Sequence, residues 1–216
     1  MLRKVFSILT ILIIVGGAAL SARTIDLPQP KIISKFSLEE AIFRRRSWRN
    51  FKNKEIPMQH LSQILWAAQG ITDKTYGFRA APSAGALYPI YIYIAKKDGV
   101  FRYLPDGHRL LELSNKDVRP SLARASLGQS YLKDAPVDII IAANFAVTQA
   151  KYGPRAFRYV CMEIGHVAEN IHLQAVALGL GSVPVGAFWD DVIRTNIKLP
   201  DNQDPLYIIP VGYVQL

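Results

Sequence analysis

The chain has 216 residues, of which 50% are hydrophobic, and carries a formal net charge of +9. This length suits one domain with a short appendage, and the apolar content excludes disordered, collagen-like and low-complexity classes. The single cysteine, Cys161, excludes an intramolecular disulfide framework and a cysteine-rich metal site.

The N-terminal residues 1–22 have the composition of a targeting or membrane segment. Arg3 and Lys4 precede an apolar run, residues 5–22, which ends in small residues. A cleaved signal peptide and an uncleaved transmembrane anchor both fit this pattern. We therefore predict either an exported, periplasmic protein or one attached to a membrane through residues 5–22, with the domain on either face. Without residues 1–22 the chain still carries +7, which a phosphorylated ligand, nucleic acid or an anionic membrane would complement.

The next stretch, residues 23–36, contains Pro28 and Pro30 and is typical of an extended linker, so we predict one folded domain over residues 37–216. Ser37 and Glu40 form a capping box, which predicts a helix ending at Arg46. A second predicted helix begins after Pro57 and ends at Gly70.

After a loop from Thr72 to Ala86, alternating apolar residues predict a strand over Tyr88–Ala95, followed by two short strands in a meander. Lys116–Leu127 is predicted to be helical, and Val137–Asn144 is a continuous apolar run typical of a strand buried on both faces. Arg155–Leu178 predicts a long buried helix. A strand (Ser182–Phe188), a helix (Asp190–Ile197) and a last strand (Leu206–Val214) complete an α+β domain.

Two patterns with possible chemistry do not satisfy their own requirements. Gly179 and Gly181 follow a helix and precede a strand, whereas a dinucleotide-binding fingerprint requires the opposite order. Glu163 and His166 have the Glu-x-x-His spacing of di-iron bundles, but a second such motif is missing from the sequence. We therefore predict no metal, and we interpret both residues as polar members of a packed helix.

Three clusters carry a stronger signal in combination. They are the basic run Arg44–Arg49, the segment Arg79–Pro89, which is rich in small residues, and the backbone-rich stretch Gly181–Ala187. Guanidinium groups beside a hydroxyl suit a phosphate monoester, and small residues allow a flat ligand to approach the backbone. In this order, with "YVCMEIGHVAENIHLQAVALGLGSVPVGAF" and a terminal "PLYIIPVGY", the chain resembles the nitroreductase family of FMN-dependent oxidoreductases. Within that family it is most similar to the SagB-type dehydrogenases, which include azoline oxidases.

The resemblance implies a nitroreductase-like fold, with a central, mostly antiparallel sheet flanked by helices, in an intertwined homodimer. It also implies FMN as cofactor and a small-molecule substrate, with no nucleic acid partner. The residues that it assigns to the FMN phosphate and ribityl chain are Arg45, Arg46, Ser47 and Arg49. The residues that it assigns to the flavin ring are Pro82, Ser83, Ala84, Gly85 and Ala86 from the other subunit, and Gln129, Pro184, Val185, Gly186 and Ala187.

Two features depart from the usual family pattern. Ala86 stands where the family usually has an asparagine, and the chain ends at Leu216, immediately after the last predicted strand. Many family members continue into an arm with a further basic phosphate contact. The N-terminal arginines are therefore the only phosphate contacts that the resemblance assigns here.

The implied reaction is a ping-pong transfer of hydride between a reductant such as NADH or NADPH and an organic acceptor, or a SagB-like dehydrogenation of a substrate. Lys151 and Tyr152 match a Lys-Tyr pair of azoline-oxidising members, and either side chain could move a proton while a hydride passes. A solvent-exposed loop is the alternative interpretation of this pair. A non-catalytic protein that binds or stores flavin is the alternative function.

Overall fold

A computed structural model describes residues 23–215, and the segment predicted as a signal peptide or anchor lies outside them. The strands are β1 (Thr24–Asp26), β2 (Ile71–Asp73), β3 (Phe78–Arg79), β4 (Ile90–Lys96), β5 (Gly99–Leu104), β6 (Arg109–Ser114), β7 (Val137–Ala143), β8 (Gly181–Ser182) and β9 (Asp204–Gly212). The helices are α1 (Leu38–Arg44), α2 (Met58–Gln69), α3 (Arg119–Ala125), α4 (Tyr131–Asp134), α5 (Phe145–Tyr152), α6 (Ala156–Ala177) and α7 (Asp190–Ile197).

The central sheet has seven strands in the order β1-β6-β5-β4-β7-β9-β8, and every neighbouring pair is antiparallel. The predicted meander forms β4, β5 and β6. Strand β7 lies between β4 and β9, and all seven of its residues are buried. The apolar run therefore forms a strand buried on both faces, as predicted, and the α+β class is confirmed.

Helices cover the two faces of the sheet separately. Ile139 and Ile141 of β7 contribute to one core with α2 and α6. Ile140 and Ala142 point to the other face, where they belong to a core with α3, α4 and α7. Successive residues of a strand point to opposite faces, so one apolar strand supplies both cores.

The predicted helices α1, α2, α6 and α7 are confirmed, with one shift at an end. The Ser37 hydroxyl accepts a hydrogen bond from the Glu40 N–H at 3.1 Å, as the capping box requires. Helix α1 ends at Arg44, two residues before the predicted end at Arg46, because Arg45 leaves the helical region with ψ 123°.

Several local predictions were wrong. In each case either a residue adopts positive φ or a contact with a distant part of the chain sets the local conformation. Strand β4 begins at Ile90, two residues after the predicted start, because Tyr88 has φ +51°. The predicted helix Lys116–Leu127 ends at Ala125, and Leu127 (φ +58°) and Gly128 (φ +77°) turn the chain before α4. The predicted loop Thr72–Ala86 contains the β2–β3 hairpin, and α5 was not predicted.

The predicted strand Ser182–Phe188 is also mostly irregular. Only Gly181 and Ser182 pair as a strand, with β9. Pro184 follows, and proline has no N–H to donate to a ladder. The segment returns to the sheet at a single antiparallel bridge between Val185 and Ile208. The residues that directly follow Val185 do not pair with the sheet, so they can line a surface.

The stretch predicted as a linker, residues 23–36, contributes a strand. Thr24–Asp26 pairs with Arg109–Leu111 of β6 and forms one edge of the sheet. The Leu27 side chain is buried in the same core as α2 and α6. The ordered domain thus includes residues on the N-terminal side of Ser37.

Truncating Ile140 should destabilise the protein because its side chain is fully buried in the central strand. We expect Ile140→Ala to lower the free energy of unfolding by about 2–5 kcal/mol. Urea denaturation followed by circular dichroism measures this difference. Ile33→Ala is the matched control, since that side chain is 89% exposed, and an equal loss in both variants would contradict the assignment.

Candidate functional site

The basic segment Arg44–Arg49 continues from the end of α1 and lies beside β8. Ser47 forms a parallel bridge with Ser182, and the Trp48 N–H donates to the Ser182 carbonyl at 3.1 Å. Gly181 makes this close approach possible. A Cβ added to Gly181 would lie 2.5 Å from Val214 Cγ2 and 2.9 Å from Trp48 Cβ. Any larger residue would push the basic segment away from β8.

The three arginines that the resemblance assigns to the phosphate have different surroundings. The Arg45 Nε lies 3.9 Å from Glu169 Oε1 on α6. Arg46 turns back on its own backbone and donates to the carbonyls of Phe43 and Arg45 at 3.0 and 2.7 Å. Arg49 lines an open cavity. Arg45 and Arg49 are therefore better disposed toward an anionic ligand than Arg46.

The cavity beside Arg49 has a volume of about 710 Å³ and a positive lining. Four of its basic residues are exposed: Arg49, Lys54, Lys97 and Lys133. Arg119 also lines it, but this guanidinium is held by Asp117 and by the Ala135 carbonyl. Glu55 and Asp134 oppose part of the positive charge. The remaining excess of cations is suited to a phosphate group.

A buried histidine lies beneath the basic segment. His172 of α6 is 4% exposed, and its Nδ1 is 2.7 Å from the Ser182 hydroxyl. Burial, with a smaller effect from the positive charge of Arg45, lowers the pKa of His172 to about 4. A neutral imidazole therefore supports β8 at neutral pH. It connects α6 to β8, whose Ser182 forms the bridge with Ser47.

The predicted segment Pro184–Ala187 lies on the same side of the molecule as β8. Gly186 and Ala187 are exposed, and the Gly186 N–H donates to no acceptor within residues 23–215. Gln129 reaches this segment, since its Nε2 donates to the Ala187 carbonyl at 3.4 Å. The Tyr131 hydroxyl donates to Gln129 Oε1 and holds the amide. The Gly186 N–H and the Gln129 side-chain amide thus lie at the same exposed segment.

The small-residue segment from Pro82 to Ala86 forms a tight turn. The Ser83 hydroxyl accepts a hydrogen bond from the Tyr88 N–H at 2.9 Å. Gly85 has φ +64°, and an added Cβ would lie 2.7 Å from the Tyr152 hydroxyl and 2.8 Å from Lys151 Nζ. Lys151 and Tyr152 lie at the C-terminal end of α5, which the sequence did not predict. They thus contact the turn that the resemblance assigns to the flavin ring.

Ala86 adopts φ +54°, in the left-handed region. Among residues with a side chain, asparagine is several-fold enriched in this conformation. The backbone here thus suits the asparagine that the resemblance expects. Ala86 adopts this backbone conformation but has no side-chain amide. The turn is therefore kept, without the polar contact that an asparagine would offer.

Glu163 and Arg79 complete the surroundings of the turn. Glu163 lies on α6, is 3% exposed and faces Ser83. Arg79 lies over the Tyr88 ring at 4.6 Å and donates to Gln69 Oε1 at 3.0 Å. The sequence interpretation missed both as site residues. The Glu163-x-x-His166 spacing was a signal, but it was interpreted only as a metal motif or as polar residues of a packed helix.

The structure thus forms two groups of site residues within one chain. Arg45, Ser47, Arg49, Gln129 and Pro184–Ala187 gather around β8. The Pro82–Ala86 turn gathers with Lys151, Tyr152 and Glu163 near the first half of α6. Within residues 23–215 no hydrogen bond or ion pair joins the two groups.

Comparisons with known proteins give a consistent result. Residues 42–213 match the profile described as the nitroreductase family. A "putative nitroreductase" of Methanocaldococcus jannaschii is 43% identical over 88% of this chain and 96% of its own length. A "putative NADH dehydrogenase/NAD(P)H nitroreductase" of Methanothermobacter thermautotrophicus is 26% identical over 84% of this chain and 79% of its own.

A solved structure extends the likeness to the fold. The crystal structure of a "putative nitroreductase" from Ralstonia eutropha JMP134 superposes with a TM-score of 0.82 at 29% identity. The match covers 91% of this chain and 92% of that one. The predicted fold, an antiparallel sheet flanked by helices in the nitroreductase arrangement, is therefore confirmed.

Two sequence predictions require correction. The prediction of an exported or membrane-anchored protein was wrong, because the relative of 43% identity, matched over nearly its whole length, is described only as a nitroreductase. Within residues 23–215, none of the helices has the length and apolar character of a membrane span. The signal peptide and transmembrane assignments, with membrane attachment through residues 5–22, are therefore not retained. Cys161 lies on α6 and is exposed.

Proposed function

The chain belongs to the nitroreductase family, and from this we propose that it is an FMN-dependent oxidoreductase that transfers a hydride between NADH or NADPH and an organic acceptor. The observation that carries the proposal is the convergence at β8. Ser47 bridges Ser182 and the Gln129 amide donates to the Ala187 carbonyl, so three segments far apart in the sequence meet beside this strand. A flavin mononucleotide needs a combination of cations and donors.

The residues around β8 fit the chemistry of FMN. Arg45, Ser47 and Arg49 would hold the phosphate, since guanidinium and hydroxyl donors match its oxygens. Lys133, which lines the same basic cavity as Arg49, would supply a further cation. Gln129 and Pro184–Ala187 would lie along the ring. FMN, when bound, supplies the capacity to accept and release a hydride.

The chain's own residues would position the ring and balance its charge. The Gly186 N–H is a fixed donor at an exposed backbone position, and a side chain there would approach Tyr207 Cε1 at 3.3 Å. A backbone donor requires no reorganisation when charge develops opposite it. The excess of cations near Arg49 would favour the more negative, reduced state of the cofactor.

We also propose a homodimer formed through the α1/α6 face. This face comprises exposed apolar side chains of two helices that pack together: Leu38, Ile42, Phe43, Phe157 and Met162. Each is between 54% and 77% exposed, and exposed apolar patches of this kind mark interaction sites. A second copy on this face could bring its Pro82–Ala86 turn to the β8 surface of the first. The two groups of site residues would then form one site.

A substitution at Gly165 tests the dimer without disturbing the monomer. Gly165 is exposed on α6, and a Cβ added there meets no atom within 4 Å. We expect Gly165→Arg to convert a dimer into a monomer, because the bulky cation prevents the two helices from approaching. Sedimentation equilibrium measures the mass. Thr195→Arg, exposed on α7 across the sheet, should leave the dimer intact, and a dimeric Gly165→Arg protein would refute this interface.

A SagB-like dehydrogenation is the second candidate reaction. The contact of Lys151 and Tyr152 with Gly85 favours it, because it brings two proton-carrying groups to the proposed flavin-facing turn. In that reaction, one of these side chains would take a proton from the substrate as the hydride leaves. The two reactions share the same site and differ in the direction of electron flow.

The proposal is tested by the visible spectrum of the purified protein and by its reduction. We expect a yellow protein, or one reconstituted by added FMN, that is bleached by NADH or NADPH under anaerobic conditions. A bound flavin that neither nicotinamide nor any substrate reduces would favour the alternative of a non-catalytic flavin-binding protein. A protein that does not retain FMN after reconstitution would contradict both.

A further inference from the structure

Glu163 is a buried carboxyl group that the proposed function does not yet use. Its residue is 3% exposed, and its Oε1 atom has no hydrogen-bond partner within residues 23–215. Leaving a buried acceptor unsatisfied costs about 1–3 kcal/mol. Proteins rarely keep such a group, and an exception requires an explanation.

A cavity beside this carboxyl group offers the explanation. It has a volume of about 260 Å³ and is lined by Pro82, Ser83, Ala84, Tyr159, Met162, Glu163 and His166. Three of these residues belong to the turn that the resemblance assigns to the flavin ring. The apolar lining of Pro82, Ala84 and Met162 suits a flat organic molecule, and Glu163 is the buried acid among the lining residues.

The charged and titratable groups around Glu163 come from three elements. Tyr159 and His166 lie on the same helix, Arg79 precedes the turn, and Lys151 and Tyr152 contact the turn from α5. Burial raises the pKa of Glu163 to about 7. A side-chain hydrogen bond with Ser83 and the positive charge of Arg79 act in the opposite direction. The carboxyl group can therefore both hold and release a proton in neutral solution.

We propose that Glu163 is a catalytic residue that exchanges a proton with the small molecule occupying this cavity, an inference that rests on the proposed oxidoreductase function. The substrate class is a molecule with a polarised double bond, such as a conjugated carbonyl compound or an imine. In reduction, one atom of the double bond accepts a hydride from the reduced flavin and the other accepts the proton of Glu163. The double bond becomes a single bond, and water reprotonates the carboxylate.

The reverse reaction balances in the same way. The substrate loses a hydride from one atom to the oxidised flavin and a proton from the neighbouring atom to the Glu163 carboxylate. The same acid therefore serves both directions of electron flow. Lys151 and Tyr152 contact the turn at Gly85, whereas Glu163 lines the cavity beside Pro82–Ala84, so single variants separate their contributions.

The first test measures the proton directly and requires no turnover. Protein labelled with ¹³C at glutamate side-chain carboxyl carbons is titrated by NMR between pH 4 and 9. We expect one resonance with a midpoint near pH 7, absent from Glu163→Gln and present in Glu112→Gln, a control on the distant strand β6. A spectrum in which every glutamate titrates below pH 5.5 would overturn the proposal, whatever the fate of the flavin.

The second test measures chemistry in two half-reactions of the flavin-loaded protein. We expect Glu163→Gln to be reduced by NADH at the wild-type rate and to retain FMN. Its transfer to a quinone or enone acceptor should be slower by about 10²-fold or more. In the wild type this transfer should decline above pH 7, where the acid loses its proton, and the decline should be absent from the variant.

The outcomes of this second test are distinguishable. An unchanged pH profile in Glu163→Gln would refute the role of Glu163 while leaving the proposed function intact. Loss of FMN binding in the wild type would instead refute the proposed function. If Glu163→Gln does not fold, Glu163→Asp should show partial activity with a shifted pH midpoint, and an unshifted midpoint would count against the proposal.

Discussion

Replacing Lys151 by methionine and Tyr152 by phenylalanine is expected to reduce substrate dehydrogenation by about 10²–10⁴-fold, the usual contribution of a positioned acid or base. Both side chains contact Gly85 in the turn that we propose to face the flavin. Their removal takes away two proton-carrying groups but keeps most of the side-chain volume. The single variants will show which group carries the proton, and stopped-flow reduction of bound FMN by substrate measures the rate.

Two controls separate chemistry from folding in this experiment. FMN retention and thermal stability should be unchanged in the double variant, because neither side chain is fully buried. Lys74→Met, exposed near the β2–β3 hairpin, should have wild-type activity. A double variant that turns over at the wild-type rate would refute the dehydrogenase role and leave the solvent-exposed interpretation of these residues.

The second large effect is expected at the basic segment. Each hydrogen bond between a guanidinium and a phosphate is worth about 1.5–3 kcal/mol. Arg45→Ala and Arg49→Ala should therefore each weaken FMN binding by about 10–100-fold, and the double variant should be isolated without flavin. Fluorescence titration of the apoprotein with FMN measures the dissociation constant. Added salt should weaken wild-type binding, since the interaction is partly electrostatic.

Arg44 provides the matched control for these variants. It lies one residue before Arg45, but it pairs with Glu40 at 2.6 Å and lies over the Phe36 ring. Arg44→Ala should therefore bind FMN as the wild type does. Equal affinities in all three single variants would show that the segment does not contact the phosphate.

The elements that could be predicted from the sequence were those with strong local signals. The Ser37 cap, the Pro57 start and the apolar pattern of α6 are each encoded by residues that are close together in the sequence. Hydrophobic alternation and short turns likewise predicted the meander of β4, β5 and β6. These features depend on steric preferences and periodicity, which act along the chain and need no distant partner.

The errors occurred where distant residues decide the local conformation. Ser182–Phe188 has the composition of a strand, but only two residues pair before Pro184 interrupts the ladder. Residues 23–36 have the composition of a linker, but Thr24–Asp26 finds a partner in β6. Helix α5 carries a weak apolar pattern and is stabilised by its packing on α6.

The sequence by itself determined the α+β class, the order of the main elements and, through three separated motifs, the family. It also indicated the segments of the candidate site, because the motifs in combination resemble those of the family. Only the tertiary structure decided how these segments group. One group of site residues lies around β8, and the other lies near the first half of α6. The tertiary structure alone identified Glu163 as a buried acid with an unpartnered oxygen, because burial and hydrogen-bond partners depend on residues that are remote in sequence.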